Sequence, residues 1–90
     1  MNITNSLVIL KGNLQQTNSS NDEYLINLLN QAKAKMKREG IIDDGTYDYD
    51  MAVVDYAAFL FRKRANLAAS FPRSLRYDLN NILFSQKMKQ

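Results

Sequence analysis

Cysteine and histidine are both missing from this chain, proline occurs once and glycine three times. Without cysteine there is no disulfide and no thiol nucleophile, and without histidine there is no imidazole acid or base at neutral pH. Zinc sites built on those two side chains are excluded with them. No run of about 18 apolar residues is present, so no segment reads as a membrane-spanning helix. The opening MNITNSLVILKGN has neither the basic n-region nor the small-residue cleavage site of a secretory signal, and an intracellular protein without membrane contact is expected. Ninety residues, 46% of them hydrophobic, suffice for one small domain with a core but not for a core plus a deep catalytic cleft. Neither catalysis nor a cofactor is expected.

What is present is organised around DMAVVDYAAFLFRKR, residues 50 to 64, the one segment apolar around more than half of a helical circumference. At about 100° per residue, Met51, Val53, Val54, Tyr56, Ala57, Ala58, Leu60 and Phe61 cover a sector of roughly 220°, leaving Asp55, Arg62 and Lys63 to water. A helix this apolar must be covered on two sides, and part of the second cover is expected from another subunit. Phe59 lies between the polar arcs of Asp55 and Lys63, badly placed for the same core, and is assigned to that subunit contact.

Three further segments flank it. Ser6 can cap a short helix near 6 to 15, with Leu7, Leu10 and Leu14 at spacings of three and four. Ser20-Asn21-Asp22-Glu23 fits the S-x-x-E capping box, which predicts a helix over 21 to 39 with Leu25, Leu28, Leu29, Ala32 and Met36 in one stripe and Gly40 as its stop. Pro72 forbids a continuous helix across Phe71 and opens a last helix near 72 to 87, after a central one over 50 to 65. The fold class is therefore all-α, a small bundle of three main helices with a short N-terminal one. The domain is single, with 1 to 20 as an arm or short helix, 21 to 83 as the helical core and 84 to 90 as a tail. Leu25, Leu28, Leu29, Ala32, Val54, Ala57, Leu60, Phe61, Leu75, Leu79 and Ile82 are the expected core.

The connection IIDDGTYDYD supplies Asp43, Asp44, Asp48 and Asp50, with Asp44-Gly45 as a turn and Asp48 or Asp50 as the cap of the central helix. As a calcium loop started at Asp44 it fails, since Tyr49 stands where the tight turn needs glycine and Asp55 where a bidentate glutamate is usual. No metal site is expected. As paired carboxylates for acid-base work these residues lack an accompanying nucleophile or oxyanion donor.

Charge is divided along the chain. Residues 1 to 61 carry five basic against eight acidic side chains, a net −3, and residues 62 to 90 carry seven against one, a net +6. The split suits a head-to-tail contact between identical subunits, Asp43, Asp44, Asp48 and Asp50 of one copy meeting Arg62, Lys63, Arg64, Arg73 and Arg76 of the next. The last helix has two apolar stripes. Leu75, Leu79, Ile82 and Leu83 form one, while Tyr77, Phe84 and Met88 form a second about 150° away, with Lys87 and Lys89 beside it. One stripe serves the core and the other is expected to dock a partner.

NDEYLINLLNQAKAKMKREG followed, after an Asp/Gly connection, by MAVVDYAAFLFRKRANLAASFPRSLRYDLNNIL resembles the tailed-phage head-tail connector proteins, the small helical adaptors that dock beneath the portal. The likeness covers about 70 of the 90 residues, outside residues 1 to 20. It rests on the Leu/Ala-rich first helix ending in Gly40, on Phe61 and Arg64 in the closing FRKR, and on Pro72 before Leu75 and Leu79. The resemblance implies a structural virion protein made in the host cytoplasm. Its copies would form a homo-oligomeric ring, a dodecamer after the portal's twelvefold symmetry, extending the DNA channel. The portal protein and the next head-completion (stopper) or tail protein are the implied partners, with DNA only as passing cargo. A small basic helical DNA-binding or regulatory protein is the alternative. Against it, Arg62, Lys63, Arg64, Arg73 and Arg76 flank a corner and are not laid along one helix that could enter a major groove.

Overall fold

The computed structural model describes residues 2 to 16 and 19 to 88. It is all-helical over these residues: α1 Ile3–Asn13, α2 Asp22–Arg38, α3 Tyr47–Ala65 and α4 Arg73–Met88. The bundle is built around α3, which contacts each of the other three helices. Most of its cover is therefore supplied within the chain, by α1, α2 and α4, and less of it is left for a second subunit than expected.

Each helix is delimited by local chemistry. α1 starts three residues before the expected Ser6, because the side chain of Asn2 accepts from Thr4 N–H at 3.0 Å and Asn5 N–H at 3.3 Å. Ser6 is buried within the helix and is not its cap. Asn21, one residue after the expected Ser20, occupies the cap position of α2, and its own side chain makes no capping bond. Lys11 joins α1 to α2 by an ion pair with Asp22 at 2.8 Å.

The end of α2 follows the expected stop. Gly40 N–H reaches the carbonyl of Lys37 at 2.9 Å, and the φ of +96° at Gly40 turns the chain so that Ile41 N–H reaches that of Met36 at 3.0 Å. Met36 and Ile41 are both buried, adding the apolar contact that fixes the chain's exit from the helix.

α3 begins at Tyr47, earlier than expected, because Thr46 and neither Asp48 nor Asp50 is its cap. The Thr46 hydroxyl accepts from Tyr49 N–H at 3.2 Å and donates to Asp44 Oδ1 at 2.6 Å, a double role that an ionised carboxylate cannot play. The early start brings Tyr49 into the core at 2% exposure. Burial first, and then the charges of Asp43, Asp50 and Asp44, push its phenol pKa up to about 12.

The core contains most of the expected residues: Leu25, Leu28, Leu29, Ala32, Val54, Ala57, Leu75, Leu79 and Ile82 are buried. Leu60 and Phe61 are not among the most buried positions; they are half-buried and pack against its edge. Near the end of α3 the cover thins, and Phe61 has the half-exposed ring of Tyr24 beside it, centroids 6.3 Å apart. Leu10, Met36, Ile41, Tyr49, Ala52, Val53, Tyr56, Ala58 and Phe59 complete the interior.

Candidate docking and contact surfaces

α4 presents its two stripes as expected. Leu75, Leu79 and Ile82 are buried against the bundle, while Tyr77, Phe84 and Met88 are 69%, 66% and 72% exposed. Residues 84 to 88 are the last turns of α4 and not a loose tail. They are held by Gln86, whose Oε1 accepts from Ile42 N–H at 3.0 Å while its Nε2 donates to the Ile42 carbonyl at 2.7 Å and to Asp44 Oδ2 at 3.2 Å. Lys87 is exposed in the last turn, and Lys89 lies outside the described residues.

The residues assigned to a subunit contact divide into three groups. Phe59 is a correction: it is 8% exposed and packs edge-on against Phe71 at 5.1 Å between centroids, with Tyr56 on the same ring at 5.3 Å. The chain after Ala65 turns back so that Phe71 lies over α3, covering the arc in which Phe59 sits. It cannot be the apolar centre of an exposed interface.

The basic set gathers at that same corner. Arg76 pairs with Glu39 within the chain and lies over the Phe71 ring at 4.8 Å, so its charge is compensated internally, contrary to the expected contact across subunits. Lys63 lies over Phe59 at 5.8 Å and Arg64 over Tyr24 at 4.8 Å. Arg62 acts on Asp55. Arg73 stands exposed at the start of α4, where Pro72 offers its carbonyl to Arg76 N–H at 3.1 Å.

The aspartates gather at the other end of α3. Asp43 accepts from Gly45 N–H at 3.0 Å and Asp44 from Thr46 N–H at 3.1 Å, two side-chain turns that shape the connection. The Thr46 hydroxyl bond, with help from Thr46 N–H and Gln86, holds the Asp44 carboxyl below its ordinary range. Asp48 and Asp50 lie in the first turn of α3, where the helix dipole favours negative charge.

Between α3 and α4 runs an open groove of about 450 Å³, which sequence reasoning did not identify. Asp44, Asp48, Asp55 and Asp78 line it, with Asn81 and Ser85, over Ala52 and Ile82. Burial, and then the facing charge of Asp78, hold the Asp55 carboxyl above its ordinary range, with Arg62 only partly opposing them. The signal lay in the pairing of Asp55 with Asp78, which no spacing within one helix reveals. Among the described residues, no three such side chains are placed to hold a metal ion.

The surface is thus divided into an acidic groove, a basic corner and an exposed aromatic-and-methionine stripe. No protein-family model, curated protein or solved structure matches the chain.

Proposed function

We propose that this chain is a structural head-tail connector of a tailed phage, a ring-forming adaptor that docks beneath a portal and extends the DNA channel. The observation that carries the proposal is the exposed stripe of Tyr77, Phe84 and Met88 on a helix whose opposite stripe is core. Aromatic and methionine side chains are enriched where partners dock, and a helix laid into a groove recognises by such a stripe. The Gln86 bonds support this reading, because they hold the stripe in place before any partner arrives and so reduce the ordering cost of docking. The order of the Leu/Ala helix, the FRKR end and the proline corner supports it from the sequence side.

Replacing Tyr77, Phe84 and Met88 together by serine tests the docking role. The variant should keep its helices, since none of the three is buried, and should no longer join portal-bearing heads. Joining them as well as the parent would assign docking to another surface.

A further inference from the structure

The carboxylates of the chain leave part of the basic corner uncompensated. Glu39 is taken by Arg76, Asp22 by Lys11, and Asp44 by Thr46 and Gln86. Asp55 and Asp78 face the groove. Lys63, Arg64 and Arg73 are exposed and make no ion pair within 4 Å among the described residues.

Helix electrostatics explain only part of this arrangement. Lys63 and Arg64 in the last turn of α3 complement its negative end, but the first turn of α4 contains Arg73 and no carboxylate, the reverse of what a helix start favours. Stacking on Phe59 and Tyr24 also holds Lys63 and Arg64 in place, so less side-chain freedom is lost when an anion binds them.

From this cluster we infer that the corner of Lys63, Arg64 and Arg73 is a contact surface for the phosphate backbone of duplex nucleic acid, independent of base sequence. Basic side chains at two helix ends, not laid along one helix, are not arranged to read bases in a major groove, but they can meet the continuous negative charge along a duplex. A membrane surface fits less well. Of the exposed large apolar side chains only Leu67 lies between Arg64 and Arg73, one anchor where a lipid interface needs several, and Phe84 and Met88 lie 11 and 15 residues along α4 from Arg73, about 17 and 23 Å at the helical rise. The inference goes beyond the connector reading and does not depend on it.

The test is fluorescence anisotropy of the full chain with a labelled mixed-sequence DNA duplex between 50 and 200 mM salt. Three phosphate contacts predict that log K falls with log salt at a slope of about −3. Lys63→Gln with Arg64→Gln and Arg73→Gln should abolish most of that slope and weaken binding at least tenfold at the lowest salt. Lys33→Gln with Lys35→Gln and Lys37→Gln, on the basic end of α2, should change it far less. Arg73→Gln alone, at an exposed helix start, keeps the proposal testable if the triple variant unfolds, and should lower the slope by about one. Four outcomes overturn the inference: no duplex binding at 50 mM salt, equal binding by the corner variants, stronger binding to phosphatidylglycerol vesicles than to the duplex, or loss of binding only together with self-association. The last would assign the corner to a neighbouring copy.

Discussion

Gln86 and Ile42, 44 positions apart in sequence, are joined as a side-chain amide is to a backbone peptide, with both the N–H and the carbonyl of Ile42 satisfied by one side chain. The pair ties the last turns of α4 to the α2–α3 connection at the end remote from the α3–α4 corner. Without it, that end of α4 is held chiefly by its apolar stripe.

Gln86→Ala is therefore predicted to loosen α4 locally. Its two bonds to Ile42 are exposed, so a total cost of about 1–2 kcal/mol is expected. Amide hydrogen exchange should speed up in the last turns of α4 and at Ile42, while the core of α2 and α3 keeps its protection. Uniform loss of protection in all helices, or none, would show that the clamp does not act locally. Truncation beyond Ile82 would remove this clamp together with Phe84 and Met88 and leave Tyr77, so the docking role is better tested by substitution.

Leu28→Ala and Leu79→Ala remove buried side chains of α2 and α4 and should each cost about 2–5 kcal/mol. Urea unfolding is the measurement. Midpoints indistinguishable from the parent would contradict the packing described for α2 and α4 against α3.

Gly40→Ala should destabilise by about 1–2 kcal/mol, the cost of a left-handed conformation with a Cβ present. The added Cβ would also lie 3.3 Å from Leu83 Cδ1, so α4 should feel the change. A thermal midpoint equal to the parent's would show that the α2 terminus had refolded without its glycine stop.

The acidic groove predicts a pH dependence with a definite sign. Because Asp55 has its pKa raised above 3.8 in the folded state, its ionisation favours unfolding; the penalty is absent below 3.8 and grows as pH rises through the raised value. Asp55→Asn should thus be more stable than the parent at pH 7, with the difference shrinking as pH falls toward 3.8. Asp78→Asn should give part of the same gain by removing the facing charge. A variant less stable than the parent at pH 7 would mean that the attraction of Arg62 outweighs burial and Asp78.

The four helices were legible because their signals are local: the apolar stripe from Leu25 to Met36, Gly40, and Pro72 at the corner. Cap choice was less legible, since Thr46 won over Asp48 and Asp50 through a hydroxyl that donates to Asp44 as well as accepting, a relation visible only in three dimensions. Phe59 was misassigned for a related reason. Its helical arc is flanked by charges, but Phe71, brought back by the corner, covers it. The two stripes of α4 were readable by period alone, whereas the acidic groove needed two helices side by side.

The proposed connector role is tested most directly by the mass of the purified chain in solution, alone and mixed with a tailed-phage portal ring. Twelve copies of 10.4 kDa would add about 125 kDa to the portal. The account predicts a portal complex heavier by that amount, and no such gain when Tyr77, Phe84 and Met88 are replaced by serine. A chain that stays at 10.4 kDa in the presence of the portal, with the portal's mass unchanged, would contradict it.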